Sequence, residues 1–144
     1  MKTRSSSIVS LTLLVALSAI SAQAATSFGG TRYVKQTDAT HTQSTKGTLS
    51  LDEGAQQLSF TDKGQQTVSI PYVGIRSMRF ENSIDRLRQP FTHRVGRDQF
   101  LTVKYQAAEN KPEYAIFRLN GRSYREVLAA LETRTNKHVE YKAN

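Results

Sequence analysis

Between Lys46 and Tyr72 the chain alternates apolar and polar residues three times, and a Gly- or Asp-containing turn ends each of the first two runs. Thr48–Leu51 puts Leu49 and Leu51 on one face. Gln57–Phe60 does the same with Leu58 and Phe60, and Thr67–Tyr72 with Val68, Ile70 and Tyr72. A helix built on these residues would scatter the apolar side chains around its axis. A strand gathers them on one side, so the pattern predicts antiparallel hairpins turning at Glu53-Gly54 and Asp62-Lys63-Gly64. Pro71 has no N–H for a ladder and marks an end or edge of the third strand. Ile75 and Met78 then stand three apart, so one helical turn or a bulge near Tyr72-Val73-Gly74 must correct the phase before Ser77–Glu81 continues as a strand.

Two more alternating runs follow, Gln99–Tyr105 and Glu113–Leu119. The last regular element is helical: Tyr124, Val127, Leu128 and Leu131 form a single apolar stripe at i, i+3, i+4, i+7. Ser123 with Glu126 has the spacing of a capping box. Asn136 suits the left-handed residue that closes a helix. Lys137–Lys142 reads as a short extended tail. The fold expected is mainly β (α+β): a bent antiparallel sheet or open barrel of about six to seven strands, closed by one C-terminal helix.

The ends of the chain read differently. In residues 1–24, Lys2 and Arg4 precede an apolar run, Ile8–Ile20, and the small-x-small triplet Ala22-Gln23-Ala24 follows. That is the pattern of a secretory signal peptide, cut before Ala25, and it predicts export to a periplasm or the medium. The apolar run is too short and too Ser/Thr-broken for a good membrane span. Residues 25–45 are polar and read as a linker, with Thr31–Lys35 a candidate short strand. The folded domain is expected over 46–144.

The order of elements resembles the pleckstrin-homology-like superfold, and the phrase Ile70-Pro71-Tyr72…Ile75 resembles one carried by bacterial pleckstrin-homology-like and GRAM-like domains. Ile75–Phe80, Phe100–Val103 and Val127–Asn136 are similar to segments of a group of uncharacterised secreted bacterial proteins. The resemblance covers about residues 46–141. It implies a strongly bent sheet with a C-terminal helix across an open corner, and a superfold that mostly binds lipids, peptides or proteins. The group usually has Gly where this chain has Asn136, and Asn also tolerates the left-handed conformation. Fold analogy carries no activity over.

Composition narrows the chemistry. With no Cys, the chain has no disulfide framework, thiol nucleophile or cysteine-ligated metal. Lys and Arg number 20 against 12 Asp and Glu, a formal charge of +8 that favours an anionic partner. The densest cationic stretch runs from Arg76 to Arg97 and contains Arg76, Arg79, Arg86, Arg88, Arg94 and Arg97, with His93 among them. Guanidinium forks suit phosphate and carboxylate. Arg86, Arg88, His93, Arg94 and Arg97 are therefore the candidate ligand-binding residues, on an irregular segment, 82–98, docking phospholipid, lipopolysaccharide, acidic glycan or an acidic protein. Against that stands a merely solvated loop, partly neutralised by Glu81, Asp85 and Asp98. Arg76 and Arg79 also fit protection of a sheet edge.

Nucleic acid is an unlikely partner for an exported chain with no readable nucleic-acid module. His41, His93 and His138 lack ligand spacing, so no metal or other cofactor is expected. Asp52-Glu53 lies at a turn, Gly29-Gly30 lacks a phosphate-binding context, and no G-x-S-x-G is present. The reading is a non-catalytic binding module. The alternative is a protein-interaction module using a sheet edge or the sheet–helix groove, without anion dependence; an unrecognised hydrolase ranks last. Among the aromatics, Phe100 and Tyr114 fall on the outward phase and gain interest if they share an exposed patch.

Overall fold

A computed structural model of the chain describes residues 25–36, 42–84, 97–107 and 110–142. The signal peptide expected at 1–24 lies outside them. The described residues form one eight-stranded sheet and one α-helix. The strands are β1 (Thr26–Gln36), β2 (Thr42–Asp52), β3 (Gln57–Asp62), β4 (Thr67–Pro71), β5 (Ile75–Ile84), β6 (Arg97–Gln106), β7 (Pro112–Leu119) and β8 (Val139–Lys142); α1 spans Tyr124–Thr135. Their order across the sheet is β4-β3-β2-β1-β7-β6-β5-β8, with β4 and β8 at the two ends, so the sheet is not closed into a barrel. The β-dominant architecture with a single C-terminal helix agrees with the sequence reading.

Two expectations need correction. Residues 25–45 are not a linker: they supply β1 and the start of β2, and β1 holds the middle of the sheet, antiparallel to both β2 and β7. A polar strand is stable there because both its backbone edges are hydrogen-bonded, and because Phe28, Thr31 and Tyr33 face inward. The sheet is also mixed, not purely antiparallel. The tail after α1 becomes β8 and pairs parallel with β5, with Val139 buried.

The candidate strand Thr31–Lys35 is the second half of β1; the first half was not legible because the period of β1 is broken. Gly29 pairs with Thr48 and Thr31 with Gly47, leaving Gly30 as an inserted residue at φ 75. This bulge turns the side-chain phase over. Phe28 and Thr31, three apart, both point to the core, and Arg32 is turned to the outside. Opposite it, Gly47 allows β2 and β3 to close over Phe60, since a Cβ there would sit 2.3 Å from the Thr61 carbonyl oxygen.

The phase slip after Tyr72 is corrected in two steps. A 3-10 turn at Tyr72–Gly74 leads into β5, and Arg76 is then inserted between the Ile75–Tyr105 and Ser77–Lys104 pairs. That bulge brings Ile75, Met78 and Phe80 to the inner face together.

The core lies between the inner face of the sheet and α1. Tyr33, Phe60 and Phe117 meet with ring centroids 5.6–6.0 Å apart. Val127, Leu128 and Leu131 press the helix onto the sheet; each such side chain contributes roughly 1.5–3 kcal/mol when buried. The capping box does not form. Ser123 is already in a helical conformation and its hydroxyl makes no cap bond. Asn120 starts the turn instead: its side-chain oxygen accepts from the Arg122 N–H, and its carbonyl accepts from Ser123 and Tyr124. Asn136, at φ 52 and ψ 35, ends the helix as expected.

At that same end Arg134 ties three elements together. Its guanidinium donates to Glu53 Oε1 at 3.0 Å, to the Leu51 carbonyl at 2.7 Å and to Thr26 Oγ1 at 2.7 Å. Substituting Arg134→Leu removes all three bonds and leaves the Leu51 carbonyl without this donor. The expected loss is about 2–3 kcal/mol, read as a lower denaturant midpoint at unchanged slope. Gly30→Ala places a side chain at positive φ, with its Cβ 2.9 Å from Asn120 Nδ2. It should cost about 1–2 kcal/mol in the same measurement; an unchanged midpoint would show that the bulge does not set the phase of β1.

Candidate functional site

The outer face of the sheet can be read row by row from the strand register. One row crosses six strands: Lys142 on β8, Glu81 on β5, Phe100 on β6, Arg118 on β7, Arg32 on β1 and Lys46 on β2. At its β8 end the charges cancel, with Lys142 Nζ 3.7 Å from Glu81 Oε1. At its β2 end they do not. Arg118, Arg32 and Lys46 are directly opposite one another on three adjacent strands. Like charges in that relation repel across the ladder.

Arg118 is paired with Asp98. Arg32 donates to the Ser44 hydroxyl at 3.3 Å. Among the described residues, no carboxylate lies within salt-bridge distance of Arg32 or Lys46. The bulge at Gly30 turns Arg32 outward, so the repulsion is built in by the backbone.

The next row runs Glu140, Arg79, Thr102, Ile116, Val34 and Ser44. Arg79 lies 3.7 Å from Glu140. Because β8 covers β5, Arg79 does not guard a sheet edge as the sequence suggested. One row further, Lys104 lies opposite Tyr114, with its Nζ 5.8 Å from the ring centroid. Phe100, Ile116 and Val34 are half-buried, and Tyr114 is 59% exposed. The two outward aromatics thus share one face with the cations.

Of the residues expected to bind a ligand, Arg86, Arg88, His93 and Arg94 lie outside the described residues. Arg97 is the first residue of β6, opposite Ile84; its side chain is also outside the description. That pairing stands three residues beyond the Glu81–Phe100 pair, about 10 Å along the strand. The root of the basic segment therefore adjoins the charged row. His138 is fully exposed, with its Nδ1 3.7 Å from Glu132. Among the described residues no group of three His, Cys, Asp or Glu side chains is placed to hold a metal, and no helix is long and apolar enough to cross a membrane.

A second feature lies between α1 and the β5–β8 edge. A groove of about 320 Å3 is lined by Phe80, Tyr124, Arg125, Leu128, Glu132 and Tyr141. Phe80 and Tyr124 stack at 5.3 Å, and Tyr141 meets Phe80 edge-on at 5.8 Å while remaining 63% exposed. Glu132 accepts from the Val139 N–H at 2.8 Å. Burial, reinforced by Glu132 and Tyr124, raises the Tyr141 pKa above the ordinary phenol value.

The row escaped the sequence reading because its cations are far apart in the chain and belong to the segment taken for a linker, to its border, and to a strand read for its core. Two clues were available: Arg32 lies inside the Thr31–Lys35 strand candidate, and Arg118 falls on the outward phase of the last strand.

No protein-family model matches the chain, and no curated protein matches its sequence.

Relieving the repulsion gives a direct check. Arg32→Thr keeps a good strand former and removes the central charge. It should stabilise the fold by about 0.2–1 kcal/mol at low ionic strength, with the gain shrinking as salt screens the row. A salt-independent loss of stability would show that the three cations do not repel.

Proposed function

We propose that the protein is an exported, non-catalytic binding module of pleckstrin-homology-like architecture that contacts an anionic partner through its basic surface. The observation that carries the reading is the Arg118–Arg32–Lys46 row, three cations directly opposite one another with one carboxylate among them. An arrangement that costs stability in the free protein is offset when an anion lies across it. Arg86, Arg88, His93, Arg94 and Arg97 remain part of the proposed basic surface on the strength of the sequence alone.

The architecture is supported by the strand order. Two antiparallel meanders, β1–β4 and β5–β7, join along β1 and β7, and the C-terminal helix packs across their inner face. Export is supported by the composition of residues 1–24. A second reading, a protein-interaction module, draws on the aromatic groove beside α1, where Tyr141 stays largely exposed on a short edge strand.

Salt separates the two. Binding to a panel of anionic vesicles, lipopolysaccharide, acidic glycan and acidic protein should include at least one ligand whose affinity falls at least about tenfold between roughly 0.05 and 0.5 M salt. It should weaken again in Arg32→Ser, and in the combined Arg86→Ala, Arg88→Ala, Arg94→Ala and Arg97→Ala variant. Binding that ignores salt and these substitutions but is lost in Tyr141→Ser would replace the anion reading with the groove.

A further inference from the structure

The geometry points to a linear acidic polysaccharide, of the polyuronate type, as the anion that lies across the outer face along the Lys46–Arg32–Arg118–Phe100 row. This rests on the anion reading above and specifies its ligand.

The shape of the charge comes first. The three cations are not a cluster around a point, as a single phosphate would require. They stand on successive strands in one cross-strand row, so their roots are separated by the inter-strand distance, about 4.8 Å per step. A ligand that meets all three must carry its charges in a line at a similar step. A chain of uronic acid sugars carries one carboxylate per pyranose along an extended axis, a linear array that long Arg and Lys side chains on successive strands can follow. The phosphates of an inorganic polyphosphate are packed more closely than the strands.

The fourth position of the row is the aromatic ring of Phe100, directly opposite Arg118. Sugar rings present an apolar face that packs on aromatic side chains. A ring in line with three cations therefore suits a sugar acid chain better than a bare polyanion. Beyond Phe100 the row reaches Glu81, whose carboxylate faces Lys142 and would repel a further uronate. Arg118 is already held by Asp98, so Arg32 and Lys46, which have no carboxylate partner among the described residues, are the primary anchors. Arg118 joins them by exchanging Asp98 for a uronate, and the footprint is at most three charged sugars and one stacked ring.

The relief of the face argues against a bilayer as the occupant. Val34, Ile116 and Phe100 are half-buried. Among the described residues of this face Tyr114 is the large apolar side chain that is mostly exposed, and its ring is engaged by Lys104. Membrane-docking surfaces bury protruding apolar groups below the headgroups; among the described residues of this face the apolar side chains are mostly half-buried.

The test is calorimetric or fluorescence titration of the full mature chain with oligogalacturonates of one to six sugars. The comparison ligands are the methyl-esterified hexamer, inorganic polyphosphate and anionic phosphatidylglycerol vesicles. Affinity should rise steeply from one to four sugars, level off beyond four, and be absent for the esterified oligomer. Arg32→Ser should lower affinity about tenfold for oligogalacturonate and for any polyanion that binds. Phe100→Leu, conservative in size, should weaken the tetramer about three- to tenfold and leave polyphosphate unaffected. A melting curve at or near that of the parent chain qualifies each variant, and Arg118→Thr provides an independent one.

The inference is overturned, with the anion reading intact, if polyphosphate or vesicles bind in an Arg32-dependent, salt-sensitive way while oligogalacturonate binds no better than its ester. It is equally overturned if Phe100→Leu weakens all polyanions alike. If none of these ligands binds at low salt, this inference falls, and the anion reading is then decided by the lipopolysaccharide and acidic-protein arms of the panel above.

Discussion

Everything in this sheet depends on β1 hydrogen-bonding along both edges. It joins the β2–β4 meander to the β5–β7 meander, and without it the two halves would each present an open edge to water. A strand in that position is expected to be apolar and strictly alternating. β1 is neither, and the residue that reconciles it with the core is Gly30. By occupying φ 75 it absorbs one extra position, so Phe28 on one side and Thr31 and Tyr33 on the other all reach the interior. The same step forces Arg32 outward. Core packing and surface charge are thus consequences of a single backbone insertion.

The helix is fixed to this seam from the other direction. Arg134 lies in the last turn of α1, where a cation is also favoured by the helix dipole. Its bonds to Thr26, Leu51 and Glu53 bind the start of β1, the end of β2 and the following turn to the helix end. The N-terminal end is held differently, through the Asn120 turn and the Phe80–Tyr124 stack. Between these two points α1 covers the inner face with Val127, Leu128 and Leu131. The outer face, with its rows of charge, is left to solvent.

The legible parts of the fold were those in which side-chain periodicity and backbone structure agree. β2 through β4, β6, β7 and α1 could be read from alternation, turn residues and one apolar stripe. Ile75 and Met78 announced a phase correction, although the inserted residue proved to be Arg76, just past the expected turn. β1 was legible only as the short candidate Thr31–Lys35, because its bulge erased the alternation before it, and a segment rich in Thr, Gln and Ser resembles a linker when its hydrogen-bonding partners are unknown. β8 could be read as extended but not as paired, since its partner is a strand more than fifty residues earlier. The capping box failed for a related reason: Asn120, three residues upstream, had already begun the turn. The charged row is the extreme case, because nothing local to Arg32, Lys46 or Arg118 reveals that register will set them side by side.

That last point bears on why the row matters. In a chain whose local choices otherwise support the fold, a conflict between levels is informative. Neighbouring cations on the same face are matched, Arg118 with Asp98, Arg79 with Glu140, Lys142 with Glu81 and Lys104 with the Tyr114 ring, whereas Arg32 and Lys46 have no carboxylate partner among the described residues. Thr at position 32 would satisfy β1 as a strand and relieve both neighbours at once. The arrangement instead places Arg between Arg and Lys, on a strand whose backbone has been bent to turn it outward. Solubility alone would be served as well by the same three charges dispersed over the surface. Their alignment across three strands is the part that solubility does not explain, and the proposed ligand with charges in a line would supply the counterpart.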